Sequence, residues 1–235
     1  MKLVTYQSQR KTALGILLND KVYNLNELSQ RKGKTVLPDN MRDFLAGEQP
    51  LMETAMELSQ WLSGGNADVD GLSVANVNLL APVPNPTSCR DGYAFRQHVE
   101  AARRNRRVEM IPEFDQYPIF YFTNHNAIQG PGDIFCMPDH FEQLDFELEA
   151  AIVIGRKGIN VKAKDADSYI AGYMIMNDMS ARKLQMEEMK LNLGPAKGKD
   201  FSTVIGPYLV TPDELASFKT NAKNGHTGNN YNLKM

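Results

Sequence analysis

Between Leu144 and Gly155 the chain changes its hydrophobic pattern in mid-segment. Leu144-Asp145-Phe146-Glu147-Leu148-Glu149 alternates apolar and acidic residues. A period of two puts the acids on one face of a strand and Leu144, Phe146 and Leu148 on the other. Ala150-Ala151-Ile152-Val153-Ile154-Gly155 follows at once, and such an unbroken run reads as a strand buried on both faces. Carboxylates therefore enter a core strand, where they are costly unless paired or metal-bound. Glu147 and Glu149 stand roughly 6.6 Å apart along it, at about 3.3 Å per residue, and both can reach one hard cation from the same side. An edge strand with a solvated acidic face accounts for the same alternation.

Elsewhere the pattern predicts a mixture of strands and helices. Met1–Tyr6 and Ala13–Leu18 read as strands, and Asn19-Asp20-Lys21 as a hairpin turn into a strand over Val22–Leu25. Asn26 is placed to cap a short helical turn over Glu27–Gln30. Pro50 suits the first turn of a helix whose Leu51, Ala55, Leu58 and Leu62 share a side, and Gly64-Gly65 ends it. Pro82-Val83-Pro84-Asn85-Pro86 is a stiff, extended connector, which divides a small unit at 1–80 from a larger one at 81–235. Beyond it, Asp91–Arg107 reads as a helix, Tyr117–Phe122 as a strand and Gly130–Asp133 as a turn. Tyr169–Met176 reads as a strand, Met179–Gln185 as a helix and Tyr231–Met235 as a strand.

Composition removes some functions. The formal net charge of −2 gives no electrostatic case for nucleic acid or an anionic membrane. The basic cluster Arg103-Arg104-Asn105-Arg106-Arg107 is short, and serves either as a solvated helix end or in anion binding. Cys89 and Cys136 form no ligand motif and no disulfide framework, which fits free thiols in a cytoplasmic protein. No apolar run reaches the length of a membrane span, and the N-terminus lacks a long apolar stretch.

Candidate chemistry is spread along the larger unit. Asn177-Asp178 falls where an apolar strand gives way to a helix, a place that suits site chemistry and helix capping equally. Asp91 and His98 would share a helix face about 10 Å apart at about 1.5 Å per residue, too far to be adjacent ligands. His98 suits proton transfer near neutral pH, although a lone histidine is more often structural. Gly194-Pro195-Ala196-Lys197-Gly198-Lys199-Asp200-Phe201 lacks the spacing of a phosphate-binding loop. Together these acids outline an oxygen-ligand site suited to Mg²⁺, Ca²⁺ or Mn²⁺ rather than zinc.

In order, Arg90-Asp91-Gly92-Tyr93-Ala94-Phe95-Arg96-Gln97-His98, Leu144–Glu149, Asn177–Arg182 with Gln185, and Gly198-Lys199-Asp200-Phe201 resemble the fumarylacetoacetate hydrolase family. The resemblance covers about residues 80–210, and implies an α+β protein: a mostly-β mixed sheet roll behind a small N-terminal α+β domain. It implies Asp91, Glu147, Glu149 and Asp178 as ligands of one divalent cation, Mg²⁺ foremost. It implies His98 as general base, Lys199 and Gln185 as stabilisers of developing negative charge, and Arg182, Arg107 and Tyr121 as substrate contacts. The implied activity is metal-dependent hydrolysis of a carbon–carbon bond in acylpyruvate- or fumarylacetoacetate-type 1,3-dicarbonyl acids, with an enolate leaving group held by the cation, as in aromatic catabolism. The alternative within the family is a decarboxylase or enol–keto isomerase of 2-oxo diacids, and fold does not choose between them. A homodimer is the expected assembly.

The chain departs from the family at its end. Later strands of the catalytic domain, including a Thr-Gly-Thr segment that helps close the site, have no counterpart before Met235. The expectation is an incomplete roll with exposed apolar surface, and a third reading follows: a non-catalytic or partner-completed module.

Overall fold

A computed structural model describes residues 1–65, 68–222 and 228–233. Its strands are β1 (Lys2–Ser8), β2 (Lys11–Leu18), β3 (Lys21–Asn24), β4 (Leu72–Ser73), β5 (Asn78–Leu79), β6 (Cys89–Asp91), β7 (Tyr121–Thr123), β8 (Ile128–Gln129), β9 (Leu144–Ile154), β10 (Ile170–Ala181), β11 (Thr203–Val210), β12 (Lys219–Thr220) and β13 (Asn230–Tyr231). The α-helices are α1 (Leu25–Arg31), α2 (Met41–Ala46), α3 (Glu48–Ser63), α4 (Arg96–Asn105) and α5 (Arg182–Glu188). Residues 234 and 235 of the strand expected at Tyr231–Met235 lie outside the described residues.

One sheet organises the molecule, in the order β4-β3-β2-β1-β11-β10-β9. Its pairings are antiparallel except for β8 against β11, so the α+β class with a mixed, mostly antiparallel sheet holds. β1 is bonded to β2 on one side and to β11 on the other, through Lys2↔Val210 and Leu3↔Leu209. The segments before and after the proline-rich connector thus share a sheet. They also share a core: Leu3, Leu14, Ile16, Leu25, Leu28, Phe44 and Leu58 pack in one buried cluster with Met174, Met176, Ile205 and Leu209. Ala55, Leu58 and Leu62 of α3 are buried, as their spacing requires.

Three local expectations need correction. Asn24, not Asn26, caps α1: its side chain accepts the Glu27 N–H at 3.0 Å, so the helix starts earlier. The stretch Asp91–Arg107 is not one helix, because Asp91 ends β6 and α4 begins only at Arg96. Gly92 marks the break, since a Cβ there would stand 2.3 Å from the Ile119 carbonyl oxygen. The strand expected at Tyr169–Met176 runs on through Asn177 and Asp178 to Ala181, held by β9 on one side and, as far as Asp178, by β11 on the other. Asp178 is therefore a strand residue and not a helix cap.

Strand β9 lies at the end of the sheet order. The inference that Ala150–Ile154 is buried on both faces fails there: Ile152 and Ile154 are 53% and 62% exposed. Leu144, Phe146 and Leu148 are exposed on the same side, while Glu147 and Glu149 are half-buried on the other. Among the described residues no helix is long and apolar enough to cross a membrane.

Candidate metal centre

The site follows from strand period. In β10, Met174, Met176 and Asp178 alternate along one face. Met174 and Met176 join the core, and two residues further the same face presents Asp178. On β9, Glu149 is opposite Met176 and Glu147 is opposite Asp178. The acids thus occupy the continuation of the core face, beyond the helices' apolar cover. Asp91 arrives from the small β6–β7 ribbon, directly opposite Tyr121.

Asp91, Glu149 and Asp178 each offer a carboxylate oxygen, and these oxygens lie within 4.8 Å of one another. Asp91 and Asp178 are buried. Asp178 Oδ2 is 2.6 Å from Lys199 Nζ, whereas its Oδ1 is buried without a hydrogen-bond partner. The Tyr121 hydroxyl is 3.1 Å from Asp91 Oδ2 and 3.3 Å from Asp178 Oδ2. One phenolic proton can serve only one of these carboxylates at a time.

Burial pushes the Glu149 carboxyl up to about 8, reinforced by the negative charges of Asp91, Asp178 and Glu147. Burial likewise pushes Asp178 up to about 6, against the pull of Lys199 and with Asp91 and Glu147 adding to the rise. Burial, then Asp178 and Asp91, raises the Tyr121 hydroxyl. Such a group holds protons unless a stronger positive charge replaces them. Three converging carboxylates, one of them with an orphaned buried oxygen, form a donor set that fits a hard divalent cation.

Glu147 stands beside this trio. Its Oε2 is 2.9 Å from Lys199 Nζ and its Oε1 is 2.7 Å from Arg182 Nη1. Burial raises its pKa, but Lys199 and Arg182 outweigh that and hold the carboxyl below the usual range. Both Glu147 oxygens are thus engaged by cationic side chains. Lys199 itself is buried, on a loop whose Gly198 carbonyl accepts the Ala181 N–H at 2.8 Å. Gly198 permits that approach, since a Cβ there would stand 2.7 Å from the Gln185 nitrogen.

The structure therefore gathers Asp91, Glu149, Asp178, Glu147, Lys199, Arg182 and Tyr121, with Gln185 joined through its Oε1 to Arg182 Nη1 at 3.2 Å. Two of the expected residues are not tied to it among the described residues. His98 is exposed on α4, and Arg107 is exposed just past that helix with a φ of 57°. Tyr121 contacts the carboxylates of Asp91 and Asp178, which sequence spacing did not reveal. The ion pair between Asp145 and Arg182 was equally hidden, because the two lie 37 positions apart.

Comparison with known proteins agrees with this architecture. The mitochondrial oxaloacetate tautomerase fahd2 of Xenopus laevis is 32% identical over 92% of this chain and 63% of its own length. The oxaloacetate tautomerase YisK of Bacillus subtilis is 28% identical over 89% of this chain and 69% of its own. The chain thus spans about two thirds of these relatives. The maleylpyruvate hydrolase of Sphingobium sp. SYK-6, solved with manganese(II) and pyruvate, shares the fold with a TM-score of 0.58 at 19% identity, over 91% of this chain and 68% of that one. Residues 87–233, more than half of the chain, match the family described as fumarylacetoacetate (FAA) hydrolase C-terminal, and the chain belongs to that family.

Proposed function

We propose that this chain serves a divalent-cation-dependent enzyme that interconverts the enol and keto forms of a 2-oxo dicarboxylic acid. The observation that carries the reading is the juxtaposition of the three-carboxylate group with the buried Lys199, 2.6 Å from Asp178. Asp91, Glu149 and Asp178 would hold the cation. Bound there, it would supply Lewis acidity that makes the proton next to a 2-oxo group easier to remove. Lys199 Nζ carries protons at the edge of the cluster, and Glu147 Oε2 lies beside it as an acceptor. This pair is suited to moving one proton between carbon and oxygen. Arg182 and Gln185 border the same place and present nitrogen donors to an anionic substrate.

We rank this above water-dependent cleavage. Hydrolysis needs a base for water, and His98, the expected base, is exposed and unconnected to the cluster among the described residues. Relatives named as oxaloacetate tautomerases support the same ordering. Carbon–carbon hydrolysis of an acylpyruvate remains the second reading, favoured by the fold shared with maleylpyruvate hydrolase.

The test is a paired assay with Mg²⁺ or Mn²⁺ and with EDTA. Loss of the oxaloacetate enol absorbance is followed in one arm, and release of acetate and pyruvate from acetylpyruvate in the other. The expected result is cation-dependent ketonisation without cleavage. Lys199→Met should lower kcat by about 100-fold or more, the scale of a lost general acid–base group. Cation-independent rates equal to the buffer background would defeat the proposal, and acetate release would favour the second reading.

A further inference from the structure

Asp145, the first acid of the alternating segment, stays out of the carboxylate cluster. It is exposed, and its Oδ2 lies 2.9 Å from Arg182 Nε. Its Oδ1 accepts the Phe146 N–H at 2.8 Å, which fixes the carboxylate's rotation. The Arg182 hydrogen bond, followed by the Phe146 N–H, keeps this carboxyl below its ordinary value.

Arg182 opens α5, one residue after β10 ends. Its Nε is held by Asp145 and its Nη1 by Glu147 at 2.7 Å, so two points fix the planar fork. Glu147 is bonded in turn to Lys199 and Lys199 to Asp178. The five charges alternate in sign from the exposed Asp145 to Asp178, which is 1% exposed. Arg182 Nη1 also holds the Gln185 amide oxygen at 3.2 Å, which turns the amide nitrogen away from it. Among the described residues, Arg182 Nη2 and Gln185 Nε2 have no hydrogen-bond partner.

We infer that Asp145 is a positioning residue: by anchoring Arg182 Nε it aims Arg182 Nη2 and Gln185 Nε2 at the distal carboxylate of the substrate. This role rests on the 2-oxo-dicarboxylate reading of the same site. An ion pair this exposed adds little to folding, so its effect is on orientation. A merely structural pair would leave substrate discrimination unmoved.

The experiment compares wild type, Asp145→Asn and Asp145→Glu. Three readouts are taken: oxaloacetate ketonisation with Mg²⁺, exchange of pyruvate C3 protons in D₂O, and Mn²⁺ affinity by titration calorimetry. In Asp145→Asn the KM for oxaloacetate should rise about tenfold, equivalent to about 1.4 kcal/mol, with kcat nearly unchanged. Pyruvate exchange, which involves no distal carboxylate, and Mn²⁺ affinity should both stay at the wild-type level. Asp145→Glu restores the charge and should recover most of the KM. An unchanged KM in an active Asp145→Asn enzyme overturns the role of Asp145 alone. So does a fall in kcat at constant KM, or failure of Asp145→Glu to rescue. A wild-type protein that binds Mn²⁺ but acts on neither acid overturns the functional reading, and this role with it.

Discussion

Strands β1 and β9 meet different fates in one sheet. In β1 both faces are covered: Leu3 joins the cluster under the helices, while Val4 and Tyr6 pack with Val22 on the opposite side. In β9 the acids turn toward the core side of the sheet, and Leu144, Phe146, Leu148, Ile152 and Ile154 face outward and exposed. Alternation fixes which residues share a face, but the face that becomes interior depends on what packs against it. At β1 that is α1–α3. At β9 the covered face also receives Asp91 and Lys199, so carboxylates prevail there over leucines.

The bluntest way to break this comparison is to cut one leucine from each region. Leu3→Ala removes a side chain that is 1% exposed and should cost about 2–5 kcal/mol. Leu148→Ala removes one that is 47% exposed and should cost less than about 1 kcal/mol. Urea unfolding of both variants reads the difference. Equal losses would mean that the outer face of β9 is covered in solution.

A second test moves to the inward face. Glu149→Gln keeps the shape but removes one of three converging charges. Mn²⁺ affinity should fall about 100-fold, or about 2.8 kcal/mol at 1.4 kcal/mol per tenfold. Calorimetric titration showing wild-type affinity would remove Glu149 from the ligand set and return β9 to an ordinary acidic edge.

Much of this was legible in the sequence where one period or one cap decides the outcome. The hairpin from Ala13 through Lys21, the buried side of α3 and the shared face of Glu147 and Glu149 all follow from local spacing. Relations across the sheet were not legible. Nothing within Arg90–His98 says that Gly92 abuts Ile119, so the helix was expected to start too early and Asp91 and His98 were placed on one face. The apolar run Ala150–Ile154 carries no sign that the sheet ends beside it. Lys199 and Arg182 were expected as substrate-side residues, and what the sequence hid is that both are paired with carboxylates brought in from β9.

Protonation sharpens the contrast between the regions, because at the β9–β10 end burial lifts two carboxyls toward neutral pH. Glu149 rises from 4.5 to about 8, so between those values the metal-free folded protein keeps a proton that the unfolded chain has lost. Its contribution to stability is therefore present at low pH and is lost as pH climbs toward 8. Asp178, raised from 3.8 to about 6, acts with the same sign over a lower window. Glu147, lowered from 4.5, acts oppositely and loses stability on acidification. The melting temperature of the metal-free protein should accordingly fall between pH 6.5 and 8.5, about the upper end of the Glu149 window. Glu149→Gln should flatten that fall, and a variant that keeps the wild-type slope would show that another group causes it.

The smallest expected effect concerns Tyr121, a neutral side chain touching two of the candidate ligand carboxylates. Its hydroxyl lies 3.1 Å from Asp91 and 3.3 Å from Asp178, and it sits opposite Asp91 in the β6–β7 pair. If it contacts substrate alone, Tyr121→Phe should raise KM and leave cation affinity untouched. If it orients the ligand carboxylates, as these distances indicate, the same change should weaken Mn²⁺ binding. Losing one hydrogen bond to a charged group is worth about 1.5–3 kcal/mol when buried. The cation itself orients the carboxylates once bound, so the measured effect should fall at or below the lower end of that range, about five- to tenfold in affinity. Titration of Mn²⁺ into the variant separates the two roles, because a substrate contact cannot alter binding in the absence of substrate.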